Sequence, residues 1–192
     1  MTVQIRPATA ERVPAIAAML GRAFRDDPIV RWPLLPTKNP AAQIARYFSF
    51  VDDVLAPLGM LWEAGEAAGA ALWIPPGTRL EEFDAASRPG IHTLTDPGKH
   101  DALWSWIESR IPREPLWFLD HIGVDPSRQG RGIGSALVEL GLERSRRDGV
   151  GAYLETATSE NVPYYERMGF RVVEEADVPG GGPHVWFMRF DG

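Results

Sequence analysis

Arg128-Gln129-Gly130-Arg131-Gly132-Ile133-Gly134-Ser135 is the stretch that decides the fold. Before it runs an apolar segment, Leu116 to Val124, stopped by Asp125-Pro126. After it, Ile133, Leu137 and Leu140, with Ala136 and Gly141, recur at helical spacing as far as Gly149. The first segment, rich in aromatic and aliphatic residues, reads as a central strand. The second reads as a helix with a buried stripe and Gly149 as its C-terminal stop. A glycine-rich turn from strand to helix offers outward-pointing backbone N–H groups, room where side chains would obstruct a ligand, and the anion-favouring end of a helix dipole. Together these features specify a diphosphate site.

Three phosphate loops compete for this pattern. The Walker loop needs a lysine and then Ser or Thr after its last glycine, whereas Gly134 is followed by Ser135-Ala136. The dinucleotide fingerprint comes nearer, since Gly130-x-Gly132-x-x-Ser135 almost matches and Glu155 ends the next strand about twenty residues on. Against it, Asp125 to Gln129 separate the strand end from the first glycine, and the residues after Glu155 are expected to be too few for a doubly wound sheet. The third pattern, Gln/Arg-x-x-Gly-x-Gly/Ala, is met at every fixed position by Gln129 to Gly134. Three neighbours agree with it: the strand end Ile122-Gly123-Val124, the strand Leu154-Glu155-Thr156, and Asn161-x-x-x-Tyr165-Glu166-Arg167-Met168-Gly169-Phe170.

On these residues the chain resembles the GNAT superfamily of N-acetyltransferases, and within it puromycin N-acetyltransferase-like members, best from Glu114 to Met188. The resemblance implies an α/β (α+β) fold. Its central sheet is mixed, mostly antiparallel, flanked by helices and splayed in a V between 116–124 and 152–156, with acetyl-CoA as cosubstrate in the opening. It implies a pyrophosphate site on Arg128, Gln129, Gly130, Arg131, Gly132, Ile133, Gly134 and Ser135. Main-chain groups of Ile122, Gly123 and Val124 would face the thioester and pantetheine. Asn161 would bond the pantetheine arm, although it also suits an N-cap. The Tyr165 phenol would protonate the departing sulfur, while Tyr164 is expected in packing or in the substrate wall.

The general base stays open among Asp120, Glu155 and water. Glu155 ends its strand on the cleft side, where it could take a proton or hold an ammonium, or else bond backbone. Asp120 lies four residues before Val124, so alternation places both on one face and turns His121 to the other with Gly123, unless a bulge shifts the register. His121 ranks third, as a structural histidine. Asp27 and Trp32 are candidates for an anionic, aromatic substrate pocket, with a helix-ending turn as the plain alternative for Asp26-Asp27-Pro28. In the puromycin enzymes a tyrosine stands near this break, so Asp27 marks a departure.

Composition agrees. With 192 residues, 44% of them hydrophobic, residues 1–192 are expected to form a single acetyltransferase domain. The formal charge of -6 argues against nucleic-acid binding and favours cationic substrates. There is no cysteine, so transfer through an enzyme thiol is excluded. Val3 to Arg6 lead into a mixed helix rather than an apolar stretch, which points to no membrane association and a cytoplasmic location. His92, His100, His121 and His184 lack ligand spacing, so no metal is expected.

Elsewhere the pattern predicts a strand over 2–6, and a helix from a Thr9 cap through Val13, Ile16, Leu20 and Phe24. It predicts a second helix over 41–55, a hairpin 59–63/69–74, and a helical stretch over 81–111 interrupted at Pro89-Gly90 and Pro97-Gly98. A short helix over 162–168 and strands over 170–176 and 184–190 follow. The expected activity is direct acetyl transfer from acetyl-CoA to the primary amine of a small molecule, antibiotic-like amines included, with Tyr165 as general acid. A protein or peptide N-acetyltransferase and a non-catalytic acyl-CoA-binding module are the alternatives. Trp32, Trp104 and Trp106 favour the small-molecule pocket, and the chain is expected as monomer or homodimer.

Overall fold

The computed structural model describes residues 3–192, apart from the side chains of 80–84. The first expected strand began at Thr2, which lies outside the described residues. In order, the chain forms β1 (Ile5–Pro7), α1 (Val13–Ala23), α2 (Pro28–Arg31), α3 (Pro40–Leu55), β2 (Leu61–Ala64), β3 (Gly69–Ile74), α4 (Leu80–Ile91) and α5 (Pro97–Glu108). Then come β4 (Leu116–Val124), α6 (Ile133–Asp148), β5 (Gly151–Thr156), α7 (Asn161–Arg167), β6 (Arg171–Asp177) and β7 (His184–Phe190). The seven strands make one sheet in the order β1-β2-β3-β4-β5-β7-β6. All neighbours are antiparallel except β4 and β5, which α6 joins as a parallel pair.

Both faces of β4 are covered, which is why its sequence is a continuous apolar run rather than an alternating one. Leu116 and Phe118 pack with Ile16, Leu20, Ile44 and Phe48 of α1 and α3. Trp117 and Leu119 point the other way, into a cluster with Leu137, Val138 and Leu142 of α6 and Tyr165 of α7. Trp73 of β3 anchors that second layer: it is fully buried, and its Nε1 donates to the Leu137 carbonyl at 3.0 Å. Its ring occupies the space a Cβ at Gly141 would need, 2.1 Å away, so α6 seats on the sheet only with glycine there.

Two features of β4 make the site. Its ladder with β5 runs from Leu116↔Gly151 to Leu119↔Leu154 and stops there, although both strands continue, so the sheet opens in a V. On the other edge Leu72 faces His121 while Trp73 faces Leu119, which leaves Asp120 as the extra residue of a β-bulge. Past the bulge the alternation is inverted. Ile122 and Val124 join the α6 layer, whereas His121 and Gly123 turn toward α1 and α3. The alternation argument that sent His121 to the face opposite Asp120 is corrected by this register shift.

Two further expectations are corrected. Pro89-Gly90 lies inside α4, and the break falls at 92–96, where Asp96 caps α5 by accepting from the Lys99 N–H at 3.0 Å. Thr9 makes no side-chain cap; a 3-10 turn at Ala10–Arg12 leads into α1 instead.

Candidate active site

Asp125 closes β4 and shapes the loop behind it. Its Oδ1 accepts from the Ser127 N–H at 3.0 Å, and its Oδ2 accepts from Arg22 at 2.5 Å. The bonds from Ser127, followed by the one from Arg22, hold its carboxyl far below the ordinary carboxylate range. Gln129 reaches back to the Val124 carbonyl at 3.4 Å. Gly130 and Gly132 have φ of 73° and 78°, the left-handed region that costs other L-residues about 1–2 kcal/mol. No atom lies within 4 Å of a Cβ built on either glycine, so these are conformational glycines on an open surface.

Gly132 is the N-cap of α6 and offers no side-chain acceptor, so the first-turn N–H groups of α6 are uncapped. Residues 126–132 are exposed, Arg128 and Arg131 among them. Ile133 is buried, anchoring the helix start, and Ser135 accepts from the Tyr164 hydroxyl at 3.4 Å. Tyr164 thus belongs to the underside of the loop rather than to a substrate wall: a Cβ on Gly134 would lie 3.1 Å from its hydroxyl. Exposed donors, room beside the backbone and a free helix start fit a diphosphate such as that of acetyl-CoA.

At the opening of the V lies a cleft that is open to solvent. Asp27, Asp120, His121, Ile122, Glu155, Asn161 and Tyr165 all line it, so the three catalytic candidates and, of the substrate candidates, Asp27 and Glu155 are brought together. Apolar and aromatic residues of α3, α5 and β4 make up much of the remainder, notably Tyr47, Phe48, Trp104 and Phe118. Trp104 Nε1 donates to the Tyr47 hydroxyl at 3.1 Å, which fixes both rings.

Tyr165 is buried, and burial, then the neighbouring Tyr164, Glu155 and Asp27, push its phenol above the usual tyrosine range. Glu155 is half-buried and its Oε2 has no hydrogen-bond partner. Burial and the charge of Asp120 raise its carboxyl well above the ordinary value. Asp120 Oδ2 accepts from His121 Nδ1 at 2.8 Å. Asp27 caps α2 through the Val30 N–H at 3.0 Å and is raised by burial, so the turn reading and the cleft position hold together.

Three expectations about the site change. Trp32 does not line the cleft: Lys99 Nζ lies 5.5 Å from its ring, and a Cβ at Gly182 would stand 3.2 Å from its Cε2, so it packs against the β6–β7 turn. Asn161 is not the cap of α7, a position Glu160 holds; its Nδ2 donates to Thr156 Oγ1 at 3.1 Å. Gly123 is buried under α1, where a Cβ would meet Leu20 Cδ2 at 2.6 Å, so its lack of a side chain serves helix packing.

The histidine spacing argument also needs revision. His92 and His100 meet across the α4–α5 turn, both on Asp101 Oδ1, at 2.8 and 3.1 Å. The ligand atoms of these three residues lie within 4.8 Å of one another, so spacing along the chain did not exclude a group able to hold a metal ion. Tyr47, Phe48 and His100 are cleft residues that sequence reasoning missed. The first two sit on the apolar stripe of α3, a signal that core and pocket share.

The model of the Acetyltransferase (GNAT) family matches residues 24–170. An uncharacterised N-acetyltransferase of Schizosaccharomyces pombe is 25% identical over 169 residues, covering 80% of this chain and 68% of that protein. Mycothiol acetyltransferase of Propionibacterium freudenreichii is 46% identical over 104 residues, 52% of this chain and only 29% of its own length. Among solved structures, a Corynebacterium glutamicum protein described as histone acetyltransferase HPA2 and related acetyltransferase superposes with a TM-score of 0.74 at 24% identity, covering 100% of this chain and 98% of that one. With the V, the glycine loop and the cleft in place, the chain belongs to the Acetyltransferase (GNAT) family and is an N-acetyltransferase.

Proposed function

We propose that the protein transfers the acetyl group of acetyl-CoA to the primary amine of a small molecule carried on an apolar or aromatic stem. The observation that carries this reading is the lining of the cleft: Asp27, Asp120 and Glu155 together with Tyr47, Phe48 and Trp104, and no lysine or arginine among the described lining residues. Such a lining favours a cation with an apolar body and disfavours an anionic acceptor.

Acetyl-CoA supplies an activated acetyl thioester. The loop from Arg128 to Ser135 binds the diphosphate through N–H groups. Peptide groups of Ile122 to Val124, left without a β5 partner by the V, hold the pantetheine amides and polarise the thioester carbonyl. Asn161 borders the same opening. Tyr165, whose phenol keeps its proton, delivers it to the departing sulfur. A carboxylate of the cleft receives the ammonium, so attack on the carbonyl is direct and needs no acyl-enzyme.

A panel of arylalkyl monoamines, diamines, aminosugars, amine-bearing antibiotics and peptides with free N-termini tests this, with thiol release from acetyl-CoA as the readout. The reading expects kcat/KM for arylalkyl monoamines at least tenfold above the rest. Turnover confined to peptides would replace the small-molecule acceptor with a protein one, and binding of acetyl-CoA without any turnover would make the protein a binding module.

A further inference from the structure

Behind Asp120 stands an arrangement that the acetyl-transfer reading does not by itself require. His121 is buried, and it touches a carboxylate on each side. Its Nδ1 donates to Asp120 Oδ2 at 2.8 Å, and its Nε2 lies 3.3 Å from Oδ1 of Asp52, a residue of α3 with no solvent exposure. That second contact is an ion pair whose alignment falls short of a hydrogen bond, so neither Asp52 oxygen has another partner. The Phe48 ring, 4.8 Å from the imidazole, covers it. Asp120 reaches this histidine only because it is the bulged residue: with regular alternation the two side chains would leave the strand on opposite faces.

We infer that the buried pair Asp52–His121 positions Asp120, and that Asp120 is thereby the group that takes the proton from the substrate ammonium. The inference rests on the amine-acetyltransferase reading of the cleft and chooses within it among Asp120, Glu155 and water.

Three observations support it. The first is orientation. Asp120 Oδ2 is held by the histidine, while its Oδ1 has no hydrogen bond among the described residues and its side chain is 20% exposed on the cleft. The second is charge. Burial raises the Asp52 carboxyl, and the charge of His121 opposes that rise, so the imidazolium stands between two acids and leaves the free side of Asp120 to a substrate cation. The third is the contrast with Glu155, which has no cationic partner among the described residues: burial and the charges of Asp120 and Asp27 raise its carboxyl well above the ordinary value and favour the protonated form, which accepts no proton.

The titratable groups that bear on His121 are Asp52 of α3 and Asp120 of β4; Asp53 bears on Asp52, Glu155 of β5 and the Tyr47 phenol lie within reach of the Asp120 charge, and Asp27 and Tyr165 lie around Glu155. Burial alone would lower the imidazole, but the charge of Asp52 and the hydrogen bond to Asp120 outweigh it and raise it to about 10. His121 therefore remains a donor to Asp120 throughout the working range.

The proton balance closes. The ammonium gives one proton to the Asp120 carboxylate, and the nitrogen lone pair forms the C–N bond as the C–S bond breaks. The sulfur takes the Tyr165 proton, the nitrogen's second proton restores the phenol, and Asp120 releases its proton to solvent through the open cleft.

Wild-type turnover on the amine panel tests the reading underneath; once an accepted amine is in hand, variants decide the assignment. In wild type, labelled-histidine NMR, assigned with His121→Gln, should show an imidazole protonated up to pH 9, and Asp52→Asn should lower its titration by at least one pH unit. Asp120→Asn should lower kcat at least 100-fold, and Glu155→Gln at least tenfold less than that, both with acetyl-CoA affinity within threefold of wild type. His121→Gln should lower kcat at least tenfold and move the acid limb of kcat/KM at least one unit toward higher pH. Three results would each overturn the assignment: His121 titrating near an ordinary histidine in wild type, an Asp120→Asn enzyme within threefold of wild type, or a His121→Gln enzyme that melts lower while keeping kcat and its pH profile. If His121→Gln does not fold, the Asp120→Asn and Glu155→Gln pair still decides.

Discussion

Leu119 of β4 and Leu154 of β5 are the last residues to pair across the parallel ladder, and the next residue on each strand, Asp120 and Glu155, lines the cleft. The separation of two strands and the placing of two carboxyls are therefore one structural event. The bulge at Asp120 falls at the same point, so the strand that must part from its neighbour also changes face there. Peptide groups freed by the V, a carboxylate turned into it and a glycine loop at the strand's end follow one another within about twenty residues of chain, the scale of one strand–turn–helix unit.

Tyr165→Phe removes the acid and leaves the packing of its ring against Phe170, 5.9 Å away between centroids. The expected result is kcat lower by about 10²-fold, as for loss of a general acid, with acetyl-CoA affinity unchanged. Because burial raises the phenol, it keeps its proton above the usual tyrosine range, and the wild-type rate should show no alkaline loss from this group below pH 10. Steady-state kinetics between pH 6 and 10 check both points, and equal loss of affinity and rate would count against the acid role.

Glu155 should make folding stability depend on pH with an unusual sign. Its folded-state value is raised, so between the ordinary carboxylate value and the raised one the folded state holds a proton that the unfolded state has lost. Its contribution is fully present below that window and is lost as pH rises through it. Glu155→Gln removes this dependence, so the Tm difference, variant minus wild type, should be more positive at pH 8 than at pH 5. Thermal melts at the two pH values measure it, and a difference that does not change with pH would refute the argument.

Gly141→Ala places a methyl group 2.1 Å from the Trp73 ring, whose indole is tied to the Leu137 carbonyl. Overpacking of this kind costs about 1–3 kcal/mol, or roughly 2–4 °C in Tm for each kcal/mol in a chain of this size. The helix carries the glycine loop at its start, so acetyl-CoA affinity should fall along with the melting temperature. A melt within about 1 °C of wild type would show that α6 can shift freely on the sheet, against the close packing described.

Much of this was legible in the sequence because it is written locally. Gly130 and Gly132 need a left-handed backbone, Ile133, Leu137 and Gly141 follow helical spacing, although Leu140 of the same expected stripe is only half-buried, and Leu116 to Leu119 alternate between two covered faces. What escaped depends on distant partners. The bulge at Asp120 is set by the register with β3, which no property of β4 alone reveals, and it moves His121 from the wrong face into the cleft. Trp32 follows Asp27 closely in sequence, yet its ring is drawn to Lys99 and the Gly180–Gly182 turn. Pro89 is tolerated near the C-terminal end of α4, so the break it suggested occurs later. Tyr47 and Phe48 lie on the buried stripe of α3, where spacing cannot separate a core residue from a cleft residue.

The most direct test of the central claim is calorimetric titration of acetyl-CoA into the purified protein, beside NADH and beside Gly132→Glu, which puts a negative side chain at a φ of 78° in the proposed diphosphate loop. The account predicts saturable acetyl-CoA binding to wild type, affinity at least tenfold weaker in the variant, and no NADH binding. NADH binding without acetyl-CoA binding, or acetyl-CoA binding that Gly132→Glu leaves intact, would contradict it.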